Sequence, residues 1–97
     1  MAQNKVYRLP NGRLVLDLQS DLVTTPTRLV APLIARAESG PPLPNLEPIF
    51  LFDGTEYLMD TSLMAAVPDT TLARPVGDFS EHDYTIRRAV DFLFTGV

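Results

Sequence analysis

The dipeptide Asp53-Gly54 stands between two short runs of strand-forming residues, Ile49 to Phe52 and Thr55 to Met59. A two-residue turn of type I′ needs positive φ at both positions, which Asp followed by Gly tolerates well. The flanking runs are rich in aromatic and aliphatic side chains, as strands are. This segment therefore predicts a tight β-hairpin and, with it, an antiparallel sheet.

A second hairpin is predicted near the beginning of the chain. Lys5 to Leu9 and Leu14 to Leu18 both alternate apolar and polar residues, and Pro10-Asn11-Gly12 lies between them. Asn-Gly is a strong turn signal between alternating segments. The alternate leucines of the second arm share one face, so we expect that face to pack against the core.

The middle of the chain predicts further strands and one long loop. Arg28 to Ile34 is an apolar strand in which Pro32 removes one backbone donor, which indicates an edge strand or a bulge. Residues 38–48 are dense in proline and predict an exposed loop. Thr61 to Val67 fits either one helical turn or a brief strand, and Thr70 to Val76 alternates weakly as a last strand.

The final segment changes from strand to helix periodicity. Ser80 followed by Asp83 resembles a capping box, and apolar residues recur at helical spacing after it, at Ile86, Ala89, Val90 and Leu93. We predict a helix over residues 81–94. Five or six antiparallel strands and this helix indicate a mainly β fold, a small SH3-like barrel, in a single domain over residues 1–97.

Composition narrows the function classes. The 97 residues include no cysteine, which excludes disulfides and thiolate metal sites, so oligomerisation is a plausible source of stability and a dimer is plausible. The net charge of −4 opposes direct binding of nucleic acid. Apolar runs are too short to span a bilayer, and we expect a soluble cytoplasmic protein with no membrane contact.

The sequence offers little for catalysis. Its one histidine, His82, lies beside the predicted helix start, where we expect a solvated surface position. Neighbouring carboxylates, such as Asp17 with Asp21, fall at turns or caps that account for them. Nucleotide-binding and hydrolase motifs are absent from the sequence. We therefore predict no catalytic residue, no metal and no cofactor, and a function based on binding another protein.

Residues 16–28 carry a highly specific family pattern, which runs apolar-Asp-apolar-Gln-Ser-Asp, two aliphatic residues, then Thr-Pro and Arg. In this chain it reads Leu16-Asp17-Leu18-Gln19-Ser20-Asp21-Leu22-Val23-Thr24-Thr25-Pro26-Thr27-Arg28. Further matches are Lys5-Val6-Tyr7, Ala31-Pro32-Leu33, Pro48-Ile49-Phe50, Met64-Ala65-Ala66-Val67-Pro68 and Phe94-Thr95-Gly96-Val97. On these residues the chain resembles the CcdB family of bacterial toxins along nearly its whole length.

The resemblance implies a homodimer that poisons DNA gyrase by trapping its GyrA protein on cleaved DNA. It also implies a CcdA-like antitoxin that neutralises this toxin. It places the gyrase contacts at Ser20, Leu22, Val23, Asp91, Thr95, Gly96 and Val97. From the residues alone, Leu22 and Val23 are either a small satellite cluster or a contact patch. Gly96 alone reads as a left-handed helix cap.

Two of these positions depart from the family. Thr95 stands where the family has a tryptophan that stacks on an arginine of gyrase, and Asp91 stands where an amide is common. Loss of the ring predicts weakened or altered gyrase poisoning. One alternative is a non-toxic binding protein that retains antitoxin binding. Another is an endoribonuclease like MazF, which shares this fold, but the negative net charge of the chain disfavours it.

The antitoxin contacts are harder to place. The resemblance implies the first hairpin and the long proline-rich loop, which in this chain gives the following candidates: Arg8, Arg13, Gly40, Pro42, Leu43 and Leu46. An acidic, partly disordered antitoxin tail that folds onto the dimer is the partner expected there.

Overall fold

The structure is a computed structural model that describes residues 2–97. These residues form seven antiparallel strands, four short 3₁₀ turns and one α-helix. The elements are β1 (Lys5–Arg8), β2 (Leu14–Asp17), β3 (Thr27–Ala35), β4 (Ile49–Phe52), β5 (Thr55–Met59), β6 (Ala65–Pro68), β7 (Gly77–Asp78) and α1 (Asp83–Thr95). The strand order is β4-β5-β3-β2-β1-β7, with β6 also paired to β3. The sheet curls into a nearly closed barrel, as predicted.

Both predicted hairpins are confirmed. Asp53 and Gly54 have φ of 52° and 79°, the signs that a type I′ turn requires, and β4 pairs with β5 on either side. In the first hairpin Gly12 has a φ of 86°, and β1 pairs with β2. The local turn signals therefore set the register of four strands.

The prediction that Pro32 marks an edge strand is wrong. β3 is the central strand: it pairs with β2 along one side and with β5 and then β6 along the other. The carbonyl of Pro32 accepts a bond of 2.9 Å from the Asp60 N–H. The backbone nitrogen of Pro32, which has no hydrogen to donate, faces the same side of β3. On that side the chain leaves the sheet after β5 and forms a 3₁₀ turn at Thr61–Leu63.

The core lies on both faces of the sheet. The larger cluster includes Leu14, Leu16 and partly buried Leu18, the predicted apolar face, and α1 covers it with Ile86 and Ala89. A smaller cluster on the other face comprises Tyr7, Val15, Val30 and Leu72. Because β2 is buried on both sides, the segment after it starts from a rigid base.

Aromatic packing fills the gap between the two end strands, β4 and β7. Phe52 lies so close to Gly77 that a Cβ there would stand 2.5 Å from the Phe52 ring. Phe50 and Phe79 pack with ring centroids 5.0 Å apart. His82 joins them at 5.0 Å from Phe50. The predicted surface position is confirmed only in part, because 37% of the His82 side chain is exposed while the ring packs against this cluster.

In residues 61–78 one predicted element is confirmed and another is wrong. Thr61 to Val67 contains both predicted alternatives, because the 3₁₀ turn Thr61–Leu63 precedes β6. Thr70 to Val76 is not a strand, since Pro75 interrupts it and a 3₁₀ turn occupies Asp69–Thr71. Pairing with β1 begins only at the Val76 N–H, 2.7 Å from the Val6 carbonyl.

The helix begins two residues later than predicted, after a 3₁₀ turn at Ser80–His82. Ser80 makes no capping bond to the helix. Its hydroxyl and N–H both donate to Asp78 instead. These bonds and the ion pair with Lys5 hold the pKa of Asp78 well below its usual range. Asn4 Nδ2 donates to Asp83 Oδ1 at 2.7 Å and ties the helix start to the first strand.

Candidate functional site

Leu22 is the most exposed large apolar residue of the described chain. It lies in the segment between β2 and β3, residues 18–26, which we call the tip loop, and 94% of it is exposed. Its neighbour Val23 is 50% exposed. A satellite cluster would bury these side chains, so that alternative is wrong and the tip loop holds both of them at the surface.

A tight turn orients Leu22. The Val23 N–H donates to the Ser20 carbonyl at 3.1 Å, and the Leu22 N–H donates to the Ser20 hydroxyl at 3.2 Å. Ser20, itself half-buried, thereby accepts two bonds from the residues that follow it. The Ser20 hydroxyl therefore helps to hold the turn on which Leu22 lies.

A buried ion pair lies beneath the tip loop. Arg28 Nε donates to Asp17 Oδ2 at 2.9 Å, and the exposed fractions of the two side chains are 8% and 0%. Arg28 Nη2 also donates to Asp21 Oδ1 at 3.1 Å and to the Gln19 carbonyl at 2.9 Å. Burial opposes the charge on Arg28, but its bonds to Asp17 and Asp21 outweigh that cost and raise its pKa.

Gln19 connects this ion pair to the turn. Its N–H donates to Asp17 Oδ1 at 3.0 Å, and its Oε1 accepts the Leu29 N–H at 3.1 Å. Its Nε2 donates to the Val23 carbonyl and to Thr25 Oγ1, each at 3.1 Å. Every polar group of this residue therefore has a partner inside the tip loop or its base.

The end of the chain is held by a different device. Gly96 has a φ of 76°, and its N–H donates to the Phe92 carbonyl at 2.9 Å, which is the left-handed cap that its position predicts. The Thr95 hydroxyl donates to the Asp91 carbonyl at 2.8 Å and accepts from the Val97 N–H at 3.3 Å. Val97 itself is 90% exposed.

A shallow groove of about 200 Å³ joins the helix to the base of the tip loop. Gln3, Leu18 and Leu29 line one wall, and Val90 and Asp91 line the other. The Gln3 N–H donates to Asp21 Oδ1 in the tip loop at 3.0 Å. The structure therefore brings Asp91 near the loop base, whereas Thr95, Gly96 and Val97 are not part of the groove lining.

A comparison with known protein families decides the assignment. The family model described as "CcdB protein" matches residues 3–96. The chain belongs to the CcdB family. CcdB toxins are the poisons of DNA gyrase in toxin–antitoxin systems, and they act by binding rather than by catalysis. The resemblance drawn from the sequence is thereby confirmed, and it disfavours the endoribonuclease alternative.

CcdB membership also gives the specific pattern of residues 16–28 a physical meaning. The prediction that a turn accounts for Asp17 is confirmed only in part: its Oδ1 accepts the Gln19 N–H as a turn residue would, but Asp17 also ends β2, is fully buried and pairs with Arg28. Asp17, Gln19 and Arg28 are the residues that reasoning from the sequence missed. The signal was present in the spacing of two acids, one amide and one arginine around the exposed Leu22.

The antitoxin candidates divide between two adjoining grooves. Arg8 and Arg13 line a groove of about 430 Å³ at the mouth of the barrel, together with Glu38 and Tyr57. Gly40 and Leu43 line a second groove of about 490 Å³, which shares Glu38 and Ile34 with the first. Their adjacency agrees with a single extended surface formed by the first hairpin and the long loop.

The remaining two antitoxin candidates are less accessible. Pro42 and Leu46 are half-buried, although the proline-rich loop is exposed for much of its length, as predicted. The Leu46 carbonyl accepts a bond of 2.5 Å from the hydroxyl of Thr61, which is fully buried. Leu46 therefore anchors the loop to the body of the protein.

Within residues 2–97, His, Asp and Glu side chains nowhere gather in a group of three that would hold a metal ion. The same part of the chain contains no helix that is long and apolar enough to cross a membrane. The residues predicted for binding lie in the tip loop, at the end of the helix, and along or beside the two grooves.

Proposed function

We propose that this protein is the toxin of a toxin–antitoxin module, and that it binds the GyrA protein of DNA gyrase and traps the enzyme on cleaved DNA. CcdB membership supports the activity. The observation that carries the contact surface is Leu22, an aliphatic side chain held out into solvent on a hydrogen-bonded loop. The proposed contacts are Ser20, Leu22, Val23, Asp91, Thr95, Gly96 and Val97.

The chemistry of this proposal is binding alone. Leu22 and Val23 supply apolar area whose burial against gyrase favours association. Because the chain carries a net charge of −4, contact with the GyrA protein rather than with DNA holds the complex. Gyrase itself breaks the DNA, and the bound toxin prevents resealing.

Thr95 is expected to weaken this binding. Its hydroxyl is occupied by Asp91 and Val97, and it offers no aromatic face to a cation on gyrase. An interface tryptophan commonly contributes about 2 kcal/mol or more, so its absence costs roughly thirtyfold in affinity. Asp91, which is exposed, adds a negative charge to the same surface.

We propose that the active species is a homodimer. Leu93 and Phe94 are exposed near the end of α1, and Leu63 is exposed in the 3₁₀ turn that packs against this helix. Adjacent apolar side chains at the surface of a small domain favour a self-complementary contact. Sedimentation equilibrium of the purified protein measures the association state directly.

We propose that a CcdA-like antitoxin binds across the two grooves. Arg8 and Arg13 supply positive charge at the barrel mouth, where carboxylates of an acidic tail would pair. Besides Glu38, which both grooves share, the second groove carries Glu47 and Asp60 and no arginine, so the acidic part of the tail belongs at the first. Leu43, which is exposed, gives an apolar contact in the second groove.

Induced expression without antitoxin in a host with the cognate gyrase tests the proposed function. We expect arrested growth and broken chromosomal DNA, both stronger for a Thr95→Trp variant. Purified protein should bind GyrA in a titration. If neither form binds or harms the host while both still bind antitoxin, the protein is instead a non-toxic member that retains only antitoxin binding, an alternative that the loss of the aromatic ring favours.

A further inference from the structure

Leu22 is exposed, so no packing holds it in place, and its orientation must come from the polar groups around it. Disorder in a contact loop lowers affinity, because ordering it on binding costs free energy. A loop whose hydrogen bonds are already made avoids that cost. The polar side chains that bond to the turn of the tip loop, Ser20 and Gln19, therefore set its shape.

Gln19 is the residue best placed to do so. Its Nε2 donates to the Val23 carbonyl, one residue beyond Leu22, while its Oε1 accepts from Leu29 on β3. One carboxamide thus bridges the far side of the turn to the central strand of the sheet. Its backbone N–H is fixed by Asp17 and its carbonyl by Arg28, so the residue cannot move with the loop.

We infer that Gln19 is a positioning residue for partner binding, which holds the turn at Ser20–Val23 so that Leu22 meets gyrase already ordered. This inference rests on the proposed function. Gln19 belongs to neither hydrophobic cluster, and its side-chain bonds go only to the tip loop and to Leu29. Its loss should therefore disturb the loop more than the fold.

Replacement by Met tests the inference, because Met keeps the length of the side chain and loses its bonds. Thr71→Val is the matched control, since the Thr71 hydroxyl also donates to a backbone carbonyl, that of Pro68, outside the tip loop. In the free protein we expect order parameters at Leu22 and Val23 to fall from about 0.85 to below about 0.6 in Gln19→Met only. Unchanged values would overturn the inference whether or not gyrase binds.

Binding supplies the second readout. Gln19→Met should weaken binding to purified GyrA about tenfold, mainly through faster dissociation, with a Tm lowered by less than about 4 °C. Gln19→Glu should weaken it at least as much, because a carboxylate would face the Val23 carbonyl. Thr71→Val should leave the affinity within about twofold of wild type.

A double-mutant cycle with Leu22→Ala separates the two proposals. If Gln19 acts through Leu22, Gln19→Met should cost little further affinity once Leu22 is Ala. A full tenfold cost in that background would overturn the positioning role while leaving the gyrase contact intact. If Leu22→Ala alone leaves binding unchanged, the contact surface of the proposed function fails, and this inference fails with it.

Discussion

The tip loop and the end of the chain both present an exposed aliphatic residue, but they are built on different foundations. Leu22 stands above a buried ion pair and a fully bonded glutamine, whereas Val97 follows one left-handed cap and one threonine hydroxyl. The loop keeps the CcdB pattern throughout residues 16–28, and the terminus departs from it at Thr95. We therefore expect gyrase binding by this protein to depend more on the tip loop than on the terminus.

The largest expected effect of a single change lies under the tip loop. Arg28→Met would leave Asp17 charged and buried without a partner, which costs about 3–5 kcal/mol of unfolding free energy. Urea unfolding measures the loss. Arg87→Met is the control, because Arg87 pairs with Asp83 at the surface and should cost less than about 0.5 kcal/mol. Similar losses in both variants would show that the Asp17–Arg28 ion pair contributes no more to stability than a surface ion pair does.

The next effect concerns affinity and lies at the terminus. Thr95→Trp restores an aromatic face and should strengthen binding to GyrA about thirtyfold, or about 2 kcal/mol. Calorimetric titration measures it. Thr95→Leu, which adds apolar area without a ring, should increase the affinity by less than about a fifth of the factor expected for Thr95→Trp. Equal gains would mean that apolar area rather than ring stacking limits binding at this end.

A smaller effect tests how firmly the terminus is held. Gly96→Ala places a Cβ at a φ of 76°, with open space around it, so the cost is conformational alone, about 1 kcal/mol. The strain should release the last turn rather than unfold the protein. We expect faster amide exchange at Gly96 and Val97 with an unchanged Tm, and a lowered Tm would contradict the weak attachment of this end.

The smallest effect is a dependence on alkaline pH. Burial raises the pKa of Tyr7, which lies near Asp17 and Arg28 beneath the tip loop. The folded state therefore holds this proton more tightly than the unfolded chain, so stability is full below the ordinary pKa of about 10 and falls as pH rises through it. Tyr7→Phe should flatten the fall in unfolding free energy above that pH.

An alkaline slope of the unfolding free energy that is the same in Tyr7→Phe and wild type would show that Tyr7 does not couple pH to stability.

Sequence reasoning succeeded where the signals were local. Asp53-Gly54 and Gly12 carry their turn geometry in their own φ preferences, and the spacing of Ile86 and Ala89 needs only helical periodicity. It failed where the partner is distant. The central position of β3 depends on its pairing with β5 and β6. The position of the short β7 depends on Gly77, which has no Cβ and so leaves room for the Phe52 ring. Neither pairing leaves a local pattern in either segment alone.

The same distinction applies to the site. The exposure of Leu22 and the cap at Gly96 follow from nearby residues. The role of Asp17 depends on Arg28, eleven residues away, and on the burial of both, which no turn preference encodes. Family resemblance marked this stretch as specific, and the ion pair explains why these residue types occur together.

The most direct test of the central claim is the accumulation of cleaved DNA by purified gyrase as the concentration of this protein is raised. We predict cleavage by wild type, at a concentration roughly thirtyfold above that needed for Thr95→Trp, and a further loss of potency in Leu22→Ala. If Thr95→Trp traps no cleaved DNA at any concentration, this protein is not a gyrase poison. If Leu22→Ala is as potent as wild type, the tip loop is not the surface by which it binds gyrase.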